Sequence, residues 1–154
     1  MKIAICDDDK RMQWCLADML EKSLGSFGMT CSVDLYARGD IFCSEVCKDA
    51  YDLIFLDIKM PGENGMEVGD YIRNVLGDME VSIVFMSSSK RYALSLFQYH
   101  PLNFLIKPIT IDCVKNVLNT YLMMRGINIH CFCCKVKKKN YALRYQRFFI
   151  SPVI

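Results

Sequence analysis

Residues 52–65 read DLIFLDIKMPGENG, and they decide the fold because a short apolar run there ends on a carboxylate and passes at once into a loop. Asp57 closes the apolar run, and the loop behind it contains Pro61 and Gly62. Open α/β sheets place their ligand and reaction sites at the carboxyl ends of buried strands. Asp57 is therefore the first candidate for a functional residue.

Three further short apolar runs also end on polar residues. Asp7 and Asp8 follow IAIC, Ser87 follows IVFM, and Lys107 follows NFLI. If all four runs are parallel strands of one sheet, their ends bring these groups to the edge that carries Asp57. Acids, a hydroxyl and an ammonium group together suit Mg²⁺-dependent transfer of a phosphoryl group onto Asp57.

Strand and helix patterns alternate as far as residue 124. Two of the predicted strands are apolar on successive positions, as strands buried on both faces should be. The fold class is therefore α/β, with a doubly wound, five-stranded parallel sheet and helices on both faces. The predicted strands are Lys2–Cys6, Cys31–Tyr36, Asp52–Leu56, Val81–Met86 and Leu102–Ile106, and the predicted helices are Lys10–Leu24, Asp40–Cys47, Met66–Leu76, Arg91–Tyr99 and Ile111–Met124. Asp8 or Asp9 is expected to cap the first helix and Gly25 to end it.

The composition fits one globular domain. The chain has 154 residues, of which 53% are hydrophobic and 23% charged, and this argues against a disordered protein. It contains no apolar run of about 18 residues, so no membrane span is expected. Its first residues, MKIAICDDD, turn acidic before a signal peptide's apolar stretch could form. A cytoplasmic protein is the expectation.

Charge is distributed unevenly along the chain. Residues 1–124 hold 12 Lys and Arg against 17 Asp and Glu, a net charge of −5, whereas residues 125–154 hold 7 Lys and Arg and no acids. A basic segment interleaved with Tyr and Phe suits a polyanion such as DNA, but a solvated surface is the more common explanation of such a segment.

Nine cysteines are scattered through the chain. The six before residue 125 lie among apolar neighbours and are interpreted as small buried hydrophobic residues. Cys131, Cys133 and Cys134 are crowded enough to raise the question of a metal site, but no second Cys or His pair stands at zinc-site spacing. Reduced thiols without a metal are therefore the favoured interpretation.

Four segments, IAICDDD, LIFLDIKMPGENG, IVFMSSS and FLIKPI, resemble the receiver domain of two-component response regulators over residues 1–124. The resemblance implies that Asp57 accepts a phosphoryl group from a sensor histidine kinase. It also implies a Mg²⁺ site in which Asp8 and Asp57 bind the ion directly, Asp7 binds through water and Lys59 binds through its backbone carbonyl. Without a cation, the crowded carboxylates should repel one another, which favours protonation of one of them.

The same resemblance gives roles to five more positions. Lys107 and Ser87 would contact phosphoryl oxygens, and Phe104 would be the switch aromatic that turns when the Ser87 hydroxyl moves. The bond before Pro108 would be cis, and Gly65 would be a turn glycine with positive φ. Taken singly, each has a structural explanation, such as a strand-end turn, a solvated lysine or a buried strand phenylalanine.

The basic tail, residues 125–154, is expected to be β-rich. Two short strands are predicted with a turn at Lys139 and Asn140. The run KVKKKNYALRYQ resembles the opening strands of a LytTR-type DNA-binding domain, and the resemblance stops near Gln146. The tail is thus interpreted as an incomplete domain of that type, from a truncated or frame-shifted regulator. The alternative is a natural stand-alone receiver whose tail pairs with its own sheet edge or with a partner.

Three functions follow as hypotheses. The leading one is a response regulator whose phosphorylation controls transcription, as in full-length relatives that bind DNA, with a homodimer by analogy. The second is a phosphate sink or protein-binding module without DNA output. The third, a haloacid-dehalogenase-type phosphatase, needs an acid two residues after the nucleophile, where this chain has Lys59. A phospho-accepting switch rather than an enzyme is therefore expected.

Overall fold

The computed structural model of the protein describes residues 1–136 and 139–147, with side chains described as far as residue 127. Five parallel strands form one sheet in the order β2-β1-β3-β4-β5. Their bounds are β1 Lys2–Cys6, β2 Ser32–Tyr36, β3 Leu53–Asp57, β4 Ser82–Ser87 and β5 Asn103–Ile106. The predicted doubly wound parallel sheet is confirmed.

Helical segments connect the strands and cover both faces of the sheet. The α-helices are α1 Lys10–Ser26, α2 Gly39–Glu45, α3 Gly65–Asp70 and α4 Ile111–Met124. A π-helical turn, Tyr71–Val75, continues α3, and two 3₁₀ segments, Lys90–Tyr92 and Leu94–Tyr99, lie between β4 and β5. The last two described strands, β6 Asn128–Val136 and β7 Lys139–Arg147, form an antiparallel hairpin.

Alternation along the central strands divides the core into two layers. On one face, α1 and α4 pack over Ile5 of β1 and Phe55 of β3. On the other face, α2, α3 and the 3₁₀ segments pack over residues such as Leu56 and Phe85. All five residues of β3 are buried, because helices cover that strand from both sides. This burial explains the unbroken apolar run in front of Asp57.

The ends of α1 differ in part from the prediction. Asp9 caps the helix, and its carboxylate accepts from the backbone N–H groups of Arg11 and Met12. Gly25 does not end the helix, which continues to Ser26. Gly28 instead takes the left-handed conformation at φ +71°, as glycine does most easily after a helix.

Two predicted helices are not regular α-helices throughout. The predicted helix Met66–Leu76 is α-helical only to Asp70 and then widens to the π-helical turn. The predicted helix Arg91–Tyr99 is made of the two 3₁₀ segments. In the tail, two strands are confirmed, but the predicted turn is wrong, because Lys139 and Asn140 pair with Val136 and Lys135 inside the hairpin.

The π-helical turn buries an arginine. Arg73 is only 7% exposed, and its guanidinium donates to the backbone carbonyls of Tyr99 at 2.8 Å, Asp78 at 2.6 Å and Val81 at 2.9 Å. A fourth carbonyl, that of His100, lies 3.5 Å away. One side chain thus joins the π-helical turn to the start of β4 and to the end of the second 3₁₀ segment.

Asp78 organises the backbone next to this arginine. Its carboxylate accepts from the N–H groups of Asp49 at 3.0 Å, Glu80 at 3.1 Å and Val81 at 3.0 Å. Burial alone raises the pKa of Asp78, but these hydrogen bonds, together with the charge of Arg73, outweigh it and hold the pKa below the usual range. The ionised form of Asp78 therefore stabilises the fold.

We expect Asp78→Asn to lower the free energy of unfolding by about 1–3 kcal/mol at pH 7. Because the folded pKa is lowered, the contribution of the carboxylate is present above the unfolded pKa of about 3.9 and is lost as the pH falls through the folded value. Urea unfolding is measured from pH 7 to pH 3. The difference in free energy of unfolding between wild type and Asp78→Asn should become smaller below about pH 4. The exposed Asp18→Asn variant is the control. A difference in free energy of unfolding that stays constant with pH would contradict the stabilising role of the ionised Asp78.

Candidate functional site

Three of the predicted site residues meet at the carboxyl edge of the sheet. Asp57 is the last residue of β3, while Asp7 and Lys107 directly follow β1 and β5. The Lys107 Nζ lies 2.7 Å from Asp7 Oδ2 and 3.0 Å from Asp57 Oδ2. Asp7 is fully buried and Asp57 is 6% exposed, so this ion-paired cluster is largely shielded from water.

Asp8 adds a third carboxylate at the mouth of the cluster. Asp7, Asp8 and Asp57 each offer an oxygen, and these oxygens lie within 4.8 Å of one another. The single ammonium of Lys107 cannot balance three carboxylates. Oxygen ligands carrying excess negative charge, with one exposed member leaving room for water, are the donors that Mg²⁺ prefers. The residues therefore fit a hard divalent cation.

Burial and the ammonium of Lys107 shift the pKa of Asp57 in opposite directions. Burial is the largest influence and raises the pKa of Asp57, and the negative charge of Asp7 adds to this effect. The hydrogen bond and charge of Lys107 work against it without cancelling it. For Lys107, burial lowers the pKa, but its hydrogen bonds to Asp7 and Asp57 outweigh burial and raise the pKa above the usual value. Lys107 is therefore charged at neutral pH.

Asp7 is held by more than the lysine. Its Oδ1 accepts from the Asp9 N–H at 2.9 Å, so both of its oxygens already have donors. The buried Gln13 donates to the backbone carbonyls of Asp7 at 2.8 Å and Tyr36 at 2.9 Å. Gln13 was not among the residues predicted from the sequence, although a polar residue three positions before the core residue Leu16 on a helix was a usable signal.

Ser87 ends β4 and is buried beside β5, the strand that Lys107 directly follows. Its carbonyl accepts from the Lys107 N–H at 2.9 Å, and its hydroxyl oxygen accepts from the Ser89 N–H at 3.1 Å. Because Asp57 pairs with Met86 in the β3–β4 register, Ser87 lies one residue beyond the level of Asp57. This position agrees with the predicted strand-end placement, while its contact with a phosphoryl group stays a prediction.

The loop after Asp57 corrects one expectation. Gly65 is not among the residues with positive φ; that conformation belongs to Gly62, at φ +76°. A Cβ on Gly65 would lie 2.3 Å from the Asp57 carbonyl oxygen, so glycine is required here by close packing against backbone. Lys59 is exposed, and its backbone lies near the Asp57 carboxylate and acts to lower the pKa of that group. Its carbonyl as a metal ligand stays a prediction.

The remaining two positions lie on and after β5. The bond between Lys107 and Pro108 is cis, as predicted. Phe104 is partly buried, pairs with Phe85 across β4 and β5, and packs against the core layer beneath α2 and α3. Its proposed role as a switch is untested by this arrangement.

The cysteines follow the expectation only in part. Cys6 and Cys43 are buried and Cys31 and Cys113 are partly buried, all as free thiols. Cys15 and Cys47 are exposed, so for them the expectation of burial is wrong. Cys15 faces solvent from α1 next to the exposed Trp14, and Cys47 follows the end of α2, so apolar neighbours in the sequence did not predict burial at these two positions. The side chains of Cys131, Cys133 and Cys134 lie outside the described residues.

Among the described residues, we find no helix that combines the length and the apolar character needed to cross a membrane.

Comparison with known proteins places this arrangement in context. Residues 3–119 match the family described as the response regulator receiver domain. The sensory transduction protein LytT of Bacillus anthracis is 25% identical over 124 residues, covering 79% of this chain and 47% of that protein. The DNA-binding transcriptional regulator NtrC of Salmonella typhimurium is 28% identical over 108 residues, covering 70% and 22% respectively. The chain thus spans less than half the length of these relatives.

Solved structures show the same fold. The response regulatory domain of the protein mrkE from Klebsiella pneumoniae superposes with a TM-score of 0.68 at 22% identity. The match covers 82% of this chain and 98% of that domain. At this identity the likeness supports the fold alone, while the matched family covers the strand ends that carry Asp7, Asp57 and Lys107.

Proposed function

Since this chain belongs to the family of response regulator receiver domains of two-component systems, we propose that it accepts a phosphoryl group on Asp57 from a sensor histidine kinase. One observation carries the proposal. Asp7, Asp8 and Asp57 cluster at one sheet edge, with the Lys107 ammonium within 3.0 Å of two of them. The protein would act as a signalling switch and not as an enzyme with a separate substrate.

In the proposed step, a carboxylate oxygen of Asp57 attacks phosphorus and forms an acyl phosphate. The bond from phosphorus to the donor's imidazole nitrogen breaks, and the electron pair stays with the imidazole. Asp57 must be ionised to act as the nucleophile, and burial opposes its ionisation. The positive charges of the cation and of Lys107 would therefore stabilise the ionised carboxylate. The ionised, partly shielded carboxylate is then a competent acceptor.

The acidic residues supply the cation site. Asp8 and Asp57 would bind Mg²⁺ directly, with Lys59 contributing its backbone carbonyl. Asp7 would act through water, and the donors already present on both of its oxygens support that indirect role. When bound, Mg²⁺ neutralises charge on the phosphoryl oxygens during transfer.

Lys107 and Ser87 would bind the oxygens of the phosphoryl group once it is present. The Lys107 ammonium is a point charge on a flexible stem, so it can move from the carboxylates to a phosphoryl oxygen. The Ser87 hydroxyl would donate to a second oxygen, and Phe104, one strand away, would repack in response. These shifts bias the protein between two conformations.

The conformational change would alter the surface formed by the second 3₁₀ segment, β5 and α4, and this surface would bind the partner. Leu94 and Phe97 on that face are 82% and 70% exposed, which leaves apolar area for a partner or a second copy. We assign residues 1–124 to the receiver and residues 125–154 to the start of an output domain of the LytTR type. Its basic charge suits DNA, and transcription would be the output, in the cytoplasm.

A stand-alone role without DNA output is the competing proposal. Fluorescence anisotropy with DNA, in the presence and absence of Mg²⁺ and beryllium fluoride, separates the two across a salt series. Sequence-selective binding that tightens with the phosphoryl mimic supports a DNA reader. Weak binding that salt erases and that ignores sequence supports a phosphate sink or protein-binding module. Turnover as a haloacid-dehalogenase-type phosphatase is disfavoured by Lys59 at the acid position.

We expect the chain to gain one phosphoryl group when it is mixed with Mg²⁺ and a small-molecule phosphodonor. Intact-mass spectrometry measures the adduct, and a chelator should abolish it, because three carboxylates without a cation repel the incoming group. The absence of any adduct with Mg²⁺ would overturn the proposed function. Equal labelling with and without chelator would overturn the metal requirement.

A further inference from the structure

We propose that the first turn of α2 is a positioning element for the loop after Asp57, so that Gly39 and Asp40 set the affinity of the site for a divalent cation. This inference rests on the proposed function for its metal. It concerns residues that neither touch the reacting atoms nor belong to the carboxylate cluster. The loop in question is residues 58–64, between β3 and α3.

Gly39 makes the first contact between α2 and this loop. A Cβ on Gly39 would lie 2.0 Å from the Glu63 carbonyl oxygen and 2.8 Å from the Glu63 carbonyl carbon. Such distances are closer than real contacts, and the neighbour is backbone, which cannot rotate away as a side chain can. The helix therefore touches the loop directly, and only glycine allows that approach.

Asp40 makes the second contact, one residue further along the chain. Its carboxylate is held by Arg38 in a two-pronged ion pair, with Nε to Oδ1 at 3.0 Å and the second nitrogen to Oδ2 at 2.9 Å. The same carboxylate lies against Gly62, where a Cβ would be 2.4 Å from Oδ1. The planar guanidinium of Arg38 thus fixes the position of the Asp40 carboxylate, against which Gly62 packs.

Cys43 lies near the same loop from the next turn of α2, since burial and then the Glu63 carboxylate raise the pKa of Cys43 to about 12. Gly39 and Asp40 thus contact two consecutive loop residues, and Cys43 lies close to the second of them. The helix is itself anchored, because Phe42 is fully buried and its ring lies 5.1 Å from that of Tyr36, edge to face.

The loop matters because it reaches the acceptor at both ends. At one end, the backbone of Lys59 lies close enough to the Asp57 carboxylate to lower its pKa. At the other, Gly65 packs against the Asp57 carbonyl, and Asn64 starts α3 through a reciprocal capping box with Glu67. A displacement of Gly62 and Glu63 must therefore pass to Lys59, to Gly65 or to both. Residues that do not bind a metal but orient the residues that do typically change metal affinity about 10–100-fold when they are substituted.

The test is Gly39→Ala, with Gly25→Ala as the matched control, because a Cβ on Gly25 meets nothing within 4 Å. Mg²⁺ is titrated into each 154-residue protein and followed by the amide NMR shifts of Asp57 and Lys59. We expect Gly39→Ala to weaken Mg²⁺ binding by about tenfold or more and Gly25→Ala to leave the Kd unchanged. Arg38→Met, which frees Asp40 without adding volume beside the loop, should weaken binding in the same direction.

Urea unfolding separates positioning from stability. A merely structural role for Gly39 predicts a lower urea midpoint with an unchanged Mg²⁺ Kd in the folded protein, and that result overturns the inference. Amide hydrogen exchange of residues 58–64 without metal gives a readout that does not need the cation: faster exchange in Gly39→Ala and Arg38→Met is expected. If wild type fails to bind Mg²⁺, the proposed function fails, whereas unchanged exchange in both variants overturns the positioning role itself.

Discussion

Replacing Asp57 with asparagine is expected to abolish phosphorylation of this protein by a small-molecule phosphodonor in the presence of Mg²⁺. The amide lacks the negative oxygen that attacks phosphorus, and no other carboxylate of the cluster shares its position at the end of β3. Asparagine has nearly the same shape, and burial already opposes the charge of Asp57, so the fold should remain intact. Intact-mass spectrometry should show an adduct on wild type only.

Asp18→Asn is the control for this experiment. Asp18 lies on the exposed face of α1, where it pairs with Lys22 at 2.6 Å. It is not part of the carboxylate cluster. It should be labelled as fully as wild type. Equal labelling of Asp57→Asn and wild type would contradict the assignment of the acceptor.

Replacing Arg73 with methionine is expected to lower the free energy of unfolding by about 3–5 kcal/mol. Three buried carbonyl oxygens lose their charged donor, and each unsatisfied group costs about 1–3 kcal/mol, less the cost of burying the guanidinium that the variant no longer bears. Burial lowers the pKa of Arg73, but the side chain stays charged at neutral pH. Methionine fills similar space without any donor.

Urea unfolding monitored by circular dichroism measures this effect. Arg91→Ala serves as the control, because Arg91 is exposed and its guanidinium donates to the hydroxyl of the neighbouring Tyr92. Its effect should stay within about 0.5 kcal/mol. If Arg73→Met unfolds at the same urea concentration as Arg91→Ala, the backbone carbonyls must find other donors, and the bridging role of Arg73 is wrong.

The sequence predicted the sheet and the acidic cluster for a physical reason. Strands buried on both faces must be apolar throughout, so the polar residue that follows each run marks a strand end. Parallel topology then brings those ends to one edge, and the prediction that Asp7, Asp57 and Lys107 meet is confirmed by their distances. Local pattern and chain topology were sufficient for these residues.

The remaining features depend on packing between distant segments. Arg73 looks like an exposed helical residue in the sequence, and only the carbonyls from other elements explain its burial. The glycine at position 65 was predicted for the wrong reason, because its close approach to the Asp57 carbonyl is a distance between backbones and not a local conformational preference. The π-helical turn after α3 likewise has no signature in the spacing of apolar residues.

The ion pairs of Lys107 have a consequence for how the site is loaded. The ammonium already occupies one oxygen of Asp7 and one of Asp57, which belong to the same carboxylates that a cation would need. A divalent cation held by Asp8 and Asp57, as proposed above, would therefore share Asp57 with the Lys107 ammonium, and the two positive charges would repel each other. Under the proposed function, this repulsion would weaken the ion pair between Lys107 and Asp57 and favour movement of the ammonium to an anion that enters the site.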